Sequence, residues 1–356
     1  MPRRGLVGRY IARMTFPHIA KRSNYVRVLL FSISLFSSPL LFAQQSGSSD
    51  RVVAINLVKS GKFTEAIEVL QRFTKTNKQD GLAWYYLGVA FVQVGNFKKA
   101  VDAFEHATAR LPNSADAYNA LGYAYLRRAK LDDATKAMTR ALVLDPTSAD
   151  AHYTLGVLML RKGDGAEART QANLTIASNS NFADAYLLKS QAILFLVAKA
   201  ILDELRPSSD PSIEAQYKEA GEALRQFLDL VPDSKDNSIW KDQLESINFY
   251  RSTRDNSSND PVYKGNAVTT KARLISKPEP SYSEEARRSL ITGRVLLRTV
   301  FAADGTVKHL MILESLPYGL TERAVDAARK IKFSPATLNG RPVSMFMYLE
   351  YDFMLN

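Results

Sequence analysis

Trp84-Tyr-Tyr-Leu-Gly88, Tyr118-Asn-Ala-Leu-Gly122 and His152-Tyr-Thr-Leu-Gly156 are one five-residue pattern repeated at intervals of 34 residues. Other positions return in phase around it. Phe91, Ala100, Phe104, Ala107 and Pro112 follow the first copy, and Tyr125, Ala134, Met138, Ala141 and Pro146 the second. Met159 and Ala168 follow the third, with Ala172 at the aromatic position, and Gly61, Ala66, Leu70 and Phe73 form a weaker copy ahead of them. A period of this length predicts one helix–turn–helix unit per copy. Small residues such as Gly88 and Ala100 let two antiparallel helices approach, large apolar side chains fill the seam, and Pro112 and Pro146 end the second helix. One pair cannot bury its apolar face alone, so the copies are expected to stack as an all-helical solenoid over residues 47–250.

The pattern resembles the tetratricopeptide repeat. In that family the first helix of each repeat lines the concave face. The resemblance therefore implies a groove of Tyr85, Val89, Asn119, Tyr123, Arg127, Tyr153, Val157, Arg161 and Gln191. Aromatics mixed with amides and arginines suit a peptide from a second protein, although Val89, Tyr123 and Val157 serve equally as packing between repeats. His152 falls at a seam position and reads as a packed residue rather than a ligand. A fifth unit starts near Ala183, but its second half regains phase only at Ala220, Leu224, Phe227 and Pro232. About eighteen residues are thus inserted, near 195–212. The apolar run 192–202 is expected to lengthen the first helix, residues 206–211 to form a loop, and residues 237–250 to form a capping helix.

Charge and cysteine content narrow the rest. Of the net +11, seven positive charges lie within residues 1–43 (Arg3, Arg4, Arg9, Arg13, Lys21, Arg22, Arg27), which hold no acid. The remaining surface mixes both signs, which argues against nucleic-acid binding. The chain has no cysteine and four histidines, so disulfides, thiolate metal sites and histidine cages lack raw material, and no cofactor is expected. Residues 28–43 are mostly apolar but shorter than the roughly 20 residues that cross a bilayer, and they follow a basic stretch. With that basic stretch they make residues 1–43 read as a signal peptide cut between Ala43 and Gln44, with an uncleaved inner-membrane anchor as the rival and Met14 as an alternative start. The expected location is the periplasm.

Residues 251–271 read as a polar, turn-rich linker that leaves its two neighbours joined but mobile. Residues 272–356 then read as a small α/β unit. Residues 281–289 are expected as a short helix. Gly293-Arg-Val-Leu-Leu-Arg-Thr-Val-Phe301 alternates, with Arg294 and Arg298 on the polar face, and Asp304-Gly305 predicts a hairpin turn. Leu320, Ala324, Ala327, Ala328 and Ile331 follow helical spacing. In the last strand Met345, Met347, Leu349, Tyr351 and Phe353 share one face, while Tyr348, Glu350 and Asp352 look outward.

Pro280-Ser-Tyr-Ser-Glu-Glu-Ala286, Gly293-Arg-Val295, Asp304-Gly-Thr-Val307, Glu314-Ser315, Ala327-Ala328 and Phe333-Ser-Pro-Ala-Thr-Leu-Asn-Gly-Arg-Pro-Val343 carry a second resemblance, to the C-terminal domain of the TonB family. The family joins inner-membrane energy to outer-membrane transporters, and this domain takes an extended transporter segment as an added strand. The resemblance implies a docking strand at Ser344, Phe346, Tyr348, Glu350 and Asp352. No histidine occurs in residues 28–43, and repeats stand where the family has a proline-rich spacer, so docking rather than energy transduction is expected. The fold expected for the whole chain is thus a tetratricopeptide-repeat solenoid followed by a small α/β domain. No Ser/His/Asp or phosphate-loop pattern points to an enzyme. The rival to a docking protein is an envelope scaffold whose tail dimerises or localises it.

Overall fold

In a computed structural model, which describes residues 42–202, 210–232, 237–252 and 261–355, the repeated glycines sit where two helices nearly touch. A Cβ on Gly88 would lie 2.5 Å from the Phe104 ring, and one on Gly122 would lie 2.3 Å from Met138 Cε. Several helix starts are closed by the same chemistry. Asp80, Asn96 and Ser114 cap helix N-termini, their side-chain oxygens accepting from the backbone N–H groups of Ala83, Lys99 and Ala117. The described residues up to and including Thr154 form the first compact unit. It contains α1 (Phe42–Lys59), α2 (Phe63–Thr76), α3 (Gly81–Gln93), α4 (Phe97–Arg110), α5 (Ala115–Arg127), α6 (Leu131–Leu144) and the start of α7 (Ala149–Arg161). The basic and apolar leader expected from sequence falls mainly on residues 1–41, outside the described residues.

The turn between the paired helices repeats as well. Gly61, Gly95 and Gly163 all have φ near +80°, and Ala129 holds the same 34-residue phase at φ 55°. Each closes its helix in one manner, with the next residue's N–H returning to a carbonyl five positions back. Examples are Asn96 to Phe91 at 2.8 Å and Lys130 to Tyr125 at 3.0 Å. Glycine adopts this conformation freely, whereas alanine carries a steric cost.

The second unit, Leu155–Asn356, holds the rest. Gly156 meets Leu188 and Gln171 as the repeat pattern requires. After α8 (Gly165–Ser178), α9 (Ala183–Leu202) and α10 (Pro211–Leu230) are each 20 residues long. The insertion therefore lengthens both helices, not only the first. Asp210 caps α10 through Ser212 N at 2.7 Å, and Pro211 supplies a pre-set first turn. Part of the expected loop, residues 203–209, lies outside the described residues. Among the described residues α9 is long and apolar enough to cross a membrane, but its Ile193, Val197 and Ala198 are core residues and Lys189 is ion-paired to Glu219 at 3.0 Å. α11 (Asn237–Ser252) follows as the capping helix.

The tail adds β1 (Val262–Tyr263), β2 (Arg273–Ser276), α12 (Glu284–Arg288), β3 (Gly293–Phe301), β4 (Val307–Glu314), α13 (Leu320–Ala328), β5 (Lys332–Ser334), β6 (Ala336–Leu338) and β7 (Arg341–Phe353). The main sheet runs β1-β7-β3-β4, with β6 also paired to β7, and β2 pairs with β5 apart from it. The β3–β4 hairpin turns at Gly305 (φ 82°), where Asp304 Oδ1 accepts from Thr306 N at 3.0 Å.

Both faces of the sheet are covered. Val295, Leu297, Phe301, Leu349 and Tyr351 pack with Leu320, Ala324 and Ala328 of α13. Leu296, Met311 and Leu313 pack with Tyr217 and Leu224 of α10 and Ile247 and Tyr250 of α11. Two expectations change accordingly. Arg298, placed on a polar face by alternation, is 6% exposed; it donates to the Tyr217 hydroxyl at 2.9 Å and lies 4.4 Å over the Tyr250 ring. The tail expected to move against its neighbour instead shares a core with α10 and α11. Residues 253–260 of the expected linker lie outside the described residues, while residues 262–263 form β1.

Candidate protein-interaction surfaces

An antiparallel strand turns the N–H and C=O of alternate residues to opposite sides, so a sheet edge is a row of every second residue. β7 pairs with β3 without a register break from Met345 to Phe353. The Glu350 carbonyl turns away from β3, because it accepts from Lys277 Nζ at 2.7 Å. Alternation then places the peptide groups of Ser344, Phe346, Tyr348 and Asp352 on the same outer side. These are the five residues expected from sequence. The edge is partly taken: β1 runs parallel to β7, with Val262 opposite Ser344 and Tyr263 opposite Met345. Along Phe346, Tyr348 and Asp352 no strand is paired on that side among the described residues.

The opposite edge is closed. Gln243 donates to Ile312 O at 2.9 Å and accepts from Ile312 N at 2.7 Å, as a neighbouring strand would. Ser246 donates to Leu310 O at 3.0 Å and Tyr250 to His309 O at 3.0 Å. A buried edge needs such partners, and α11 supplies them.

The side chains of β7 differ from expectation. Tyr348 does not look outward; it and Phe346 are half-buried in the core shared with α10 and α11, and Phe346 lies 5.9 Å from the Tyr250 ring. Glu350 and Asp352 are exposed, and Glu350 is ion-paired to Arg294 at 3.2 Å, beside the closer Arg294–Glu314 pair at 2.5 Å. The edge thus offers backbone groups with few free side chains.

On the repeats, Tyr85, Val89, Asn119, Tyr123 and Tyr153 are buried in the first unit. Arg127 is half-buried, 4.1 Å over the Phe97 ring, and donates to the Tyr123 hydroxyl at 2.9 Å. In the second unit Val157, Arg161 and Gln191 are half-buried. His152 is buried, with Nε2 2.9 Å from Pro146 O. Sequence reading passed over Asp116 and Asp150, the middle residues of Ala115-Asp-Ala117 and Ala149-Asp-Ala151, which stand one period apart. Burial, then the Asp116 charge, pushes the Asp150 carboxyl up to about 7. Burial, then Asp145, pushes Asp116 up. The same two aspartates, after burial, raise the Tyr85 hydroxyl well above its ordinary value.

Comparison with known proteins agrees with both halves. Residues 278–355 match the model of the Gram-negative bacterial TonB protein C-terminal, and residues 54–115, 90–148 and 119–186 match that of the tetratricopeptide repeat. The chain is therefore a tetratricopeptide-repeat solenoid followed by a TonB C-terminal domain, and both are protein-interaction modules. Among curated proteins, none matches the chain. Among solved structures, MamA is similar at 21% identity over 50% of this chain and 94% of its own, TM-score 0.42. Pseudomonas aeruginosa pilF is similar at 15% identity over 59% of this chain and 88% of its own, TM-score 0.47. YrrB, described as a TPR protein with an unusual peptide-binding site, is similar at 20% identity over 52% of this chain and 86% of its own, TM-score 0.41.

Proposed function

We propose that this chain is a non-enzymatic, exported adaptor of the cell envelope that takes an extended segment of an outer-membrane transporter as an added strand on β7. The repeats recruit a second protein. The observation that carries this reading is the outer side of β7, where Phe346, Tyr348 and Asp352 present backbone groups in register while α11 closes the far edge. A sheet closed on one side and open on the other directs strand addition to one place. The periplasmic location rests on the leader at residues 1–43 and the envelope character of the TonB domain.

The test is titration of the full exported chain with extended peptides from the N-termini of outer-membrane transporters, followed by fluorescence anisotropy. Saturable binding that is lost when the β7 edge is blocked supports docking. Absence of binding, with self-association at micromolar concentration, favours the scaffold reading instead. N-terminal sequencing of the exported protein distinguishes cleavage after Ala43 from a retained anchor.

A further inference from the structure

Helix starts in the first unit leave a set of oxygen atoms without partners. Tyr85 Oη and Asn119 Oδ1 are both buried and have no hydrogen-bond partner among the described residues. Tyr85 and Asn119 are 4% and 3% exposed, and they occupy the same repeat position one period apart. Asp116 and Asp150, also one period apart, stand in the first turns of α5 and α7. Neither is ion-paired to a lysine or arginine among the described residues, although Arg127 stands on the same helix as Asp116 and is turned onto Phe97 and Tyr123. The Tyr85 hydroxyl senses both aspartates, and Asn119 stands three residues after Asp116 on α5, one helical turn along the same face. Asp116 is exposed yet poorly hydrated, as happens to a carboxylate on a concave surface with protein on several sides.

The chemistry of the set is one-sided. Once ionised, the two carboxylates can only accept, as the amide oxygen does, and the tyrosine adds a single donor that can also accept. Like charges left facing each other disfavour ionisation, and a third group that brings positive charge and several N–H donors reverses this. We infer that Tyr85, Asp116, Asn119 and Asp150 form a binding site for a lysine ammonium or arginine guanidinium carried by an extended polypeptide segment. This rests on reading the repeats as a peptide-binding surface and specifies the charge of what they take. The tail edge reads backbone; the repeats read a basic side chain.

The experiment is selection of phage-displayed random peptides on the full chain, then binding of the selected peptides to the full chain and to the D116N/D150N variant. Asparagine keeps the shape and relieves the mutual repulsion, so the variant folds, which circular dichroism checks. The expected result is enrichment of lysine and arginine, with binding weakened at least about ten-fold in the double variant and by added salt. Basic peptides that bind the double variant equally well overturn the site. Neutral or acidic peptides whose binding is lost on Tyr123→Ala overturn the cation specificity but leave the groove reading standing. Peptides unaffected by any of these changes overturn both.

Discussion

The side-chain amide of Gln243 bonds both the N–H and the C=O of Ile312, at 2.7 and 2.9 Å, across 69 residues of sequence. One glutamine on α11 thereby does for β4 what a further strand would do. Gln243→Leu keeps the volume and strands two buried backbone groups, so it costs about 2–4 kcal/mol of stability, measured by urea unfolding. Ser246→Ala, which leaves one carbonyl unpaired, costs about 1 kcal/mol. A neutral Gln243→Leu would mean that water replaces the amide and that the edge is not closed.

Glu350 separates docking from folding. Its peptide group faces outward while its neighbours hold β3, so Glu350→Pro removes an edge donor without removing a ladder bond. Binding of transporter peptides falls at least about ten-fold, whereas the unfolding free energy changes by less than about 2 kcal/mol. Retention of binding by a folded proline variant would move the docking site away from β7.

Ala129 is the repeat turn without a glycine, held at φ 55° where Gly61, Gly95 and Gly163 stand in phase. The conformation costs alanine roughly 1 kcal/mol, part of which the greater entropy of an unfolded glycine offsets. Ala129→Gly therefore raises stability by about 0.5 kcal/mol, and Gly95→Ala lowers it by about 1 kcal/mol. Thermal unfolding of the two variants should move in opposite directions.

Asp150 makes stability depend on pH in an unusual direction for a carboxylate. The folded chain keeps its proton up to about pH 7, whereas the unfolded chain releases it near the ordinary value of about 3.9. Between these values the folded state binds more protons, so this group's contribution to stability falls as pH rises through the window. Asp150→Asn removes the effect. The variant is more stable than the parent by about 1–3 kcal/mol at pH 8, and the difference disappears by about pH 4. A difference that instead grew toward acid would place Asp150 in an ion pair.

The fate of individual residues shows what was legible. The glycines at 88, 122 and 156 announced helix contacts because only one atom's absence lets Phe104, Met138 or Leu188 approach, and that requirement recurs with the period. The β3–β4 turn and the alternation of β7 were equally local. Arg298 and Tyr348 were misread as solvent-facing, since alternation assigns two faces but not what covers each. Asp116 and Asp150 were visible as a repeated Ala-Asp-Ala, but charge at a helix start ordinarily means dipole compensation, so the pattern alone carried no signal.

The sequence by itself determined the two modules, their order, the helix pairs and the alternation of the last strand. These follow from periods of 34 and of two, which are properties of neighbouring residues. Tertiary structure decided which sheet edge is open, because Gln243 and Ile312 meet only after α11 lies along β4. It also decided that Val262 and Tyr263 cover one end of β7, and that the Tyr85 hydroxyl lies within reach of two aspartates that no lysine or arginine pairs with among the described residues. Hydrogen bonding and charge are settled between partners distant in the chain, and no local pattern fixes which partners will meet.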